Sequence, residues 1–180
     1  MILLDPALGP DSEPDSSARV ASARQSSAAQ RDSRLPAPRT LARFLAQAQA
    51  EVRLRGQVTV LLTGDAAIRK LNRQFRGKNK ATDVLSFPAD DSVQGGDKIA
   101  GDLAISVPTA RRQAAGQGHP LATELKVLIL HGLLHLAGYD HETDRGEMAR
   151  RELLLRKRLG LPIGLIERAS AKAASRAKKP

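Results

Sequence analysis

The stretch Ala122-Thr-Glu-Leu-Lys-Val-Leu-Ile-Leu-His-Gly-Leu-Leu-His-Leu-Ala137 decides how this chain folds. It is mostly apolar, which predicts a helix enclosed by the rest of the protein. No apolar run in the chain approaches the ~20 residues that a membrane-spanning helix requires. We therefore expect this helix to lie buried against a sheet in a soluble protein.

Predicted strands and helices alternate around this helix. Short apolar runs predict strands at Val58–Thr63, Asp83–Phe87 and Asp102–Ser106, with Met1–Leu4 as an additional strand. Apolar spacing predicts helices over 39–52, around Ile68 and Leu71 with Asp65 as the cap, from Ser106 or Pro108 to Ala115, and over Glu142–Leu159. This alternation indicates an α/β (α+β) fold, in which a small mixed sheet packs against helices.

The 180 residues suffice for a single domain with extensions. Residues 1–8 are predicted to supply the first strand, and residues 35–160 to form the domain. Residues 9–34 are rich in Ser, Ala, Pro, Asp and Arg without an apolar period, which predicts a disordered insertion or linker. Residues 161–180 are predicted to be a basic C-terminal tail.

The composition narrows the possible partners. The formal net charge of +10 favours polyanions such as nucleic acid or an anionic membrane surface. The absence of cysteine excludes a disulfide scaffold, a thiolate zinc site and a catalytic thiol. Aromatic residues make up only 2%, which argues against nucleic-acid recognition by aromatic stacking of the kind found on RRM and OB-fold surfaces. Without a signal peptide pattern at its start, the chain is expected to be cytoplasmic, with no membrane partner.

Three histidines form the strongest candidate site. His131 and His135 are four residues apart, so they share one face of the predicted helix. Gly138 can end that helix in the left-handed conformation and return His141 to the same face. Three imidazoles with a fourth position open resemble a catalytic zinc site, although nickel or another divalent ion also fits. The alternative is a set of core histidines with satisfied hydrogen bonds.

The neighbours of these histidines restrict the chemistry. Zinc metalloproteases with the H-E-x-x-H pattern place a glutamate general base directly after the first histidine, whereas this chain has Gly132. Asp140 or Glu142 could instead orient an imidazole through a hydrogen bond. Each also has a simpler interpretation, since Asp140 suits a turn and Glu142 the first turn of a helix.

A basic segment precedes the second predicted strand of the domain. Arg73, Arg76, Lys78 and Lys80 lie within eight residues. Arg76 is the best candidate for a catalytic group because guanidinium offers paired donors to phosphate oxygens. Phe75 is expected to pack inward beside it, and Gly77 to let the backbone approach a ligand. The alternative is an ordinary solvated face.

These residues carry a family resemblance. The strings His131-Gly-Leu-Leu-His-Leu-Ala-Gly-Tyr-Asp-His141, Phe75-Arg-Gly-Lys, Thr82-Asp-Val-Leu-Ser-Phe-Pro88 and Gly101-Asp-Leu-Ala-Ile-Ser106 resemble the YbeY family of bacterial endoribonucleases. The resemblance runs from about residue 39 to about residue 160, with 1–8 as the family's first strand. Residues 9–34 and the basic tail depart from the family pattern.

The resemblance implies a metal-dependent hydrolase domain over 35–160. It implies one Zn²⁺ per chain held by His131, His135 and His141, with Arg76 as a catalytic residue. Arg73, Lys78 and Lys80 would then bind the RNA backbone. The implied activity is single-strand-specific endoribonuclease cleavage in maturation of the small-subunit rRNA 3′ end and in ribosome quality control, with rRNA and the small ribosomal subunit as partners.

Two other functions fit the same residues. One is a ribosome-associated RNA-binding assembly factor whose metal site is mainly structural. The other is a metal hydrolase that acts on small phosphoesters or peptides.

Overall fold

The computed structural model describes residues 1–8, 34–89, 98–141 and 143–162. The strands are β1 (Ile2–Leu4), β2 (Gln57–Thr63), β3 (Val84–Pro88) and β4 (Ile99–Ser106). The helices are α1 (Pro38–Val52), α2 (Asp65–Arg76), α3 (Val107–Gln117), α4 (Leu121–Leu136) and α5 (Glu147–Leu159). None of these helices combines the length and apolar character needed to cross a bilayer. The predicted linker and tail lie outside the described residues, apart from Arg34 and residues 161–162.

The strands form one mixed sheet in the order β1-β2-β4-β3. The β1–β2 and β2–β4 pairs are parallel, and β3 pairs with β4 in the antiparallel direction, with Leu85 opposite Ala104. The expected α/β fold with a small mixed sheet is confirmed. In this order β3 lies at one edge of the sheet.

Alternation along β4 divides the core between the two faces of the sheet. Leu103 and Ile105 point into the main core, which contains the apolar residues of α1, α4 and α5. Ala104 points the other way, into a smaller cluster with Ile68 of α2 and Leu85 of β3. Helices α2 and α4 therefore pack on opposite faces of the same two strands.

Helix α4 is enclosed as expected. Every residue from 127 to 134 is buried, which is the pattern of a helix covered on all sides. Gly132 permits its close approach to β4, because a Cβ atom at this position would lie 2.7 Å from Cδ2 of Leu103. The end of α4 that carries the histidines is thus pressed against the sheet.

Two predicted helix starts are wrong. Helix α5 begins at Glu147 rather than Glu142, because Gly146 adopts a left-handed φ of 83° and the Asp144 carboxylate accepts hydrogen bonds from the backbone N–H groups of Gly146 and Met148. Asp65 does not cap α2, whose N-cap is Gly64.

Asp65 instead forms hydrogen bonds with the start of α3, the helix that follows β4. Its carboxylate accepts hydrogen bonds from the hydroxyl groups of Ser106 and Thr109 and from the guanidinium of Arg112. Burial raises the pKa of Asp65, but these hydrogen bonds outweigh it and the pKa is lowered overall. The side chain joins α2 to α3, and Ser106 is the N-cap of α3 as expected.

Candidate metal centre

The structure brings together the three histidines that the sequence singled out. His131 and His135 lie on adjacent turns of α4, and a turn through Gly138, whose φ is 88°, returns the chain so that His141 faces them. The ring centroids are 4.8, 5.5 and 5.3 Å apart. One ring nitrogen of each histidine lies within 4.8 Å of those of the other two, so the group could hold a metal ion.

A buried carboxylate fixes the orientation of the first imidazole. Nδ1 of His131 lies 3.0 Å from Oε2 of Glu152 on α5, and it donates the hydrogen bond because the carboxylate is ionised. The bare Nε2 of His131 then faces Nε2 of His135 at 3.2 Å. Two imidazole nitrogens directed at one point suit a cation, so the donor set fits a divalent metal.

Glu152 is itself held by a buried cation. Nε of Arg156 donates to Oε1 of Glu152 at 2.8 Å, and both side chains are 1% exposed. Burial raises the pKa of Glu152, but the hydrogen bonds from His131 and Arg156 and the positive charge of Arg156 lower it overall. The carboxylate therefore stays ionised beside the histidine cluster.

Glu152 was not among the residues predicted from the sequence, although a signal for it was present. Met148, Glu152 and Leu155 follow one another at helical spacing, and all three are buried. A carboxylate on the apolar face of a helix requires a partner inside the protein. The orienting role expected of Asp140 or Glu142 belongs, for His131, to Glu152. Asp140 accepts a hydrogen bond from the hydroxyl of Thr143, and Glu142 lies outside the described residues.

The surroundings of His135 favour its neutral imidazole form. Burial, followed by repulsion from His131 and His141, lowers the pKa of His135 to about 4. Asp140 opposes this shift, and the charge of Arg76 adds to it. Neutral imidazole is the form that binds a metal.

Arg76 is the last residue of α2, on the opposite face of the sheet from α4. Its positive charge contributes to the lowered pKa of His135, after the larger effects of burial and of the two other histidines. Gly77 takes a left-handed φ of 67° and ends the helix there. The other expected RNA-binding residues, Arg73, Lys78 and Lys80, are exposed around this helix end.

The inward packing expected of Phe75 is wrong. The residue is 59% exposed, and its ring makes an edge-to-face contact with the ring of Phe87, with centroids 5.1 Å apart and an interplanar angle of 70°. Strand β3, which carries Phe87, lies at the edge of the sheet. The last turn of α2 therefore holds Phe75 at the rim of the protein.

Gly132 supplies no side chain to the histidine cluster. Gly132 faces Leu103 in the sheet, where even one added carbon atom would clash. A glutamate general base following His131, as in the H-E-x-x-H pattern, therefore has no room on this backbone.

Comparison with known proteins agrees with these motifs. The family model described as Endoribonuclease YbeY matches residues 23–160. An endoribonuclease YbeY of Koribacter versatilis is 51% identical over 140 residues, covering 78% of this chain and 89% of that protein. The endoribonuclease YbeY of Solibacter usitatus is 53% identical over 126 residues, covering 70% of this chain and 82% of that protein.

A solution structure of a Thermotoga maritima protein matches 70% of this chain and 85% of its own, with 27% identity and a TM-score of 0.49. The family match includes all the strands after β1, all five helices and all three clustered histidines. The chain belongs to the endoribonuclease YbeY family.

Proposed function

We propose that this protein is a metal-dependent endoribonuclease that cleaves single-stranded RNA in maturation of the small-subunit rRNA 3′ end and in ribosome quality control. Membership of the family supports hydrolysis of RNA phosphodiester bonds. The observation that carries the metal dependence is the convergence of three imidazole nitrogens on one point.

His131, His135 and His141 would hold the ion, with zinc at one per chain as the first candidate and nickel as the second. A bound divalent ion supplies Lewis-acid stabilisation of negative charge on a phosphate oxygen. Exposure increases along the cluster, from buried His131 through half-buried His135 to exposed His141. An RNA phosphate can therefore approach from the His141 side.

The chain's own residues would position and stabilise the phosphate. Glu152 holds the His131 ring so that its Nε2 faces Nε2 of His135, where the ion would bind. The Arg76 guanidinium would bind the phosphate and stabilise the charge that develops on it in the transition state. Arg73, Lys78 and Lys80 would bind flanking phosphates without reading sequence.

The ribosomal role and a cytoplasmic location are the wider part of the proposal. A net charge of +10 suits a partner as strongly anionic as the small ribosomal subunit. A chain without cysteine has no need of an oxidising compartment.

Purified protein should be incubated with rRNA fragments that contain the small-subunit 3′ end. We expect cleavage in unpaired regions, loss of cleavage with a chelator, and recovery when zinc is added. His135→Ala is the matched variant that lacks one ligand. RNA binding without cleavage under every metal condition would instead support an assembly factor with a structural metal.

A further inference from the structure

Phe75 is an exposed aromatic residue with exposed positively charged residues around it. The chain has three phenylalanines and one tyrosine, and Phe44 is buried in the main core. Phe75, in contrast, is 59% exposed on the helix turn that carries Arg76. Its charge-bearing neighbours Arg73 and Lys78 are also exposed.

The ring of Phe75 is supported by a contact with the ring of Phe87. The tilted contact with Phe87 uses at most one face of the Phe75 ring, because edge-to-face pairs join the edge of one ring to the face of the other. The loop after α2 is also tied to the helix. Asn72 is buried, and its Nδ2 donates to the carbonyl of Lys80 at 2.7 Å. Phe75 therefore projects from a supported surface.

We propose that Phe75 is a stacking surface for one unpaired nucleobase of the RNA substrate. Exposed aromatic rings among cations are how proteins bind single strands, with the base on the ring and the phosphates on the charges. Since Arg76 adjoins Phe75, the stacked base would belong to a nucleotide next to the phosphate that Arg76 contacts. This inference rests on the proposed function, because it requires RNA at Arg76.

The stacking surface gives a physical reason for single-strand specificity. A base inside a duplex is already stacked and paired, so it reaches a protein ring only after both interactions are broken. An unpaired base meets no such cost. Phe75 therefore favours single strands without reading which base is present, because every base has a π-face.

The first test compares Phe75→Leu with Leu154→Ala. Leu154 is 43% exposed on α5, so its variant controls for the loss of an exposed apolar side chain. Binding to a fluorescent single-stranded oligoribonucleotide is measured by rapid mixing, before cleavage proceeds. We expect roughly tenfold weaker binding for Phe75→Leu, the typical effect of losing one stacked base, and wild-type binding for Leu154→Ala. Metal content and thermal midpoint should stay at wild-type values in both.

The second test detects the stacking contact itself. The chain contains no tryptophan, so Phe75→Trp introduces a single indole at the proposed contact. We expect this variant to bind RNA at least as tightly as wild type and its fluorescence to be quenched at saturating single-stranded RNA. Leu154→Trp should show no quenching.

The outcomes separate this inference from the proposed function. If wild type cleaves RNA, but Phe75→Leu binds normally and Phe75→Trp shows no quenching, the stacking surface is overturned and the endoribonuclease proposal stands. If wild type neither binds nor cleaves single-stranded RNA, the proposed function fails and the stacking surface fails with it.

Discussion

His131 and Glu152 join helices α4 and α5 through a buried hydrogen bond of 3.0 Å between Nδ1 and Oε2. The bond directs the bare Nε2 of His131 toward the other two histidines. Carboxylates that hold a metal-binding imidazole in this way typically account for about 10- to 100-fold in metal affinity.

Glu152→Gln should therefore weaken zinc binding by about 10- to 100-fold, because the amide oxygen can accept the hydrogen bond but lacks the charge. Competition with a chromogenic chelator measures the affinity. Glu147→Gln on the same helix is the matched control, since Glu147 is exposed in its first turn. Equal zinc affinity in the two variants would show that Glu152 has no part in metal binding.

Gly132→Ala should destabilise the fold by about 1–3 kcal/mol, because the added carbon atom overpacks the contact with Leu103. Gly116→Ala is a suitable control: Gly116 lies in α3 with open space around it, and alanine should stabilise that helix by about 0.5–1 kcal/mol. Urea unfolding measures both. Combining Gly132→Ala with Leu103→Val should restore part of the loss, and an unchanged loss would place the strain elsewhere.

Asp65→Asn should lower the free energy of unfolding in a pH-dependent way. The folded-state pKa of Asp65 lies below its ordinary value of 3.8, so the stabilisation is fully present above that pH. It is lost as the pH falls through the lowered folded-state pKa. Urea unfolding at pH 7 and near pH 3 should show a gap between wild type and variant that narrows at the lower pH. A gap independent of pH would mean that the charge of Asp65 contributes nothing.

Arg112→Ala tests how much the ion pair with Arg112 contributes, compared with the hydroxyl groups that also bond to Asp65. The Arg112 side chain is 63% exposed, so its ion pair with Asp65 should contribute less than about 1 kcal/mol. The hydroxyl groups of Ser106 and Thr109 are then the main partners of the carboxylate. Arg112→Ala should accordingly cost less than Asp65→Asn at pH 7.

Arg76→Ala should lower the cleavage rate by ~10²-fold or more while RNA affinity changes little, since its guanidinium stabilises charge that develops in the transition state. Arg76→Lys should remain strongly impaired, because ammonium lacks the planar pair of donors. Lys70→Ala, exposed on the same helix, is expected to cleave at the wild-type rate. Single-turnover rates at saturating RNA provide the measurement, with metal content checked in each variant. Weakened binding with an intact rate would make Arg76 an ordinary phosphate contact.

Replacing Lys78 and Lys80 with alanine should flatten the salt dependence of RNA binding. Each phosphate contact with a single strand contributes about 0.7 to the slope of log affinity against log salt. Lys157→Ala on α5 is the control for the loss of one exposed positive charge outside this segment. An unchanged slope in the double variant would assign the basic segment to a solvated face.

Local sequence determined the helices, the strands and the histidine pair. The stretch that forms α4 is apolar enough to predict a helix buried on all sides. The four-residue spacing of His131 and His135 places both on one face of that helix, independently of its packing partners. Gly138 added the turn that brings His141 back, because glycine tolerates the left-handed conformation. These features depend mainly on neighbours in the chain, so the sequence predicts them, apart from the starts of α2 and α5.

Tertiary structure alone decided which distant groups meet. Glu152 reaches His131 from 21 residues away because α5 packs against α4. Asp65, just after β2, bonds to Ser106 at the end of the neighbouring strand β4 instead of capping its own helix. Phe75 is exposed because α2 ends at the edge strand β3, although its helical position matches that of buried Ile68 and Asn72. Such contacts depend on strand order and helix packing, and no local spacing specifies either.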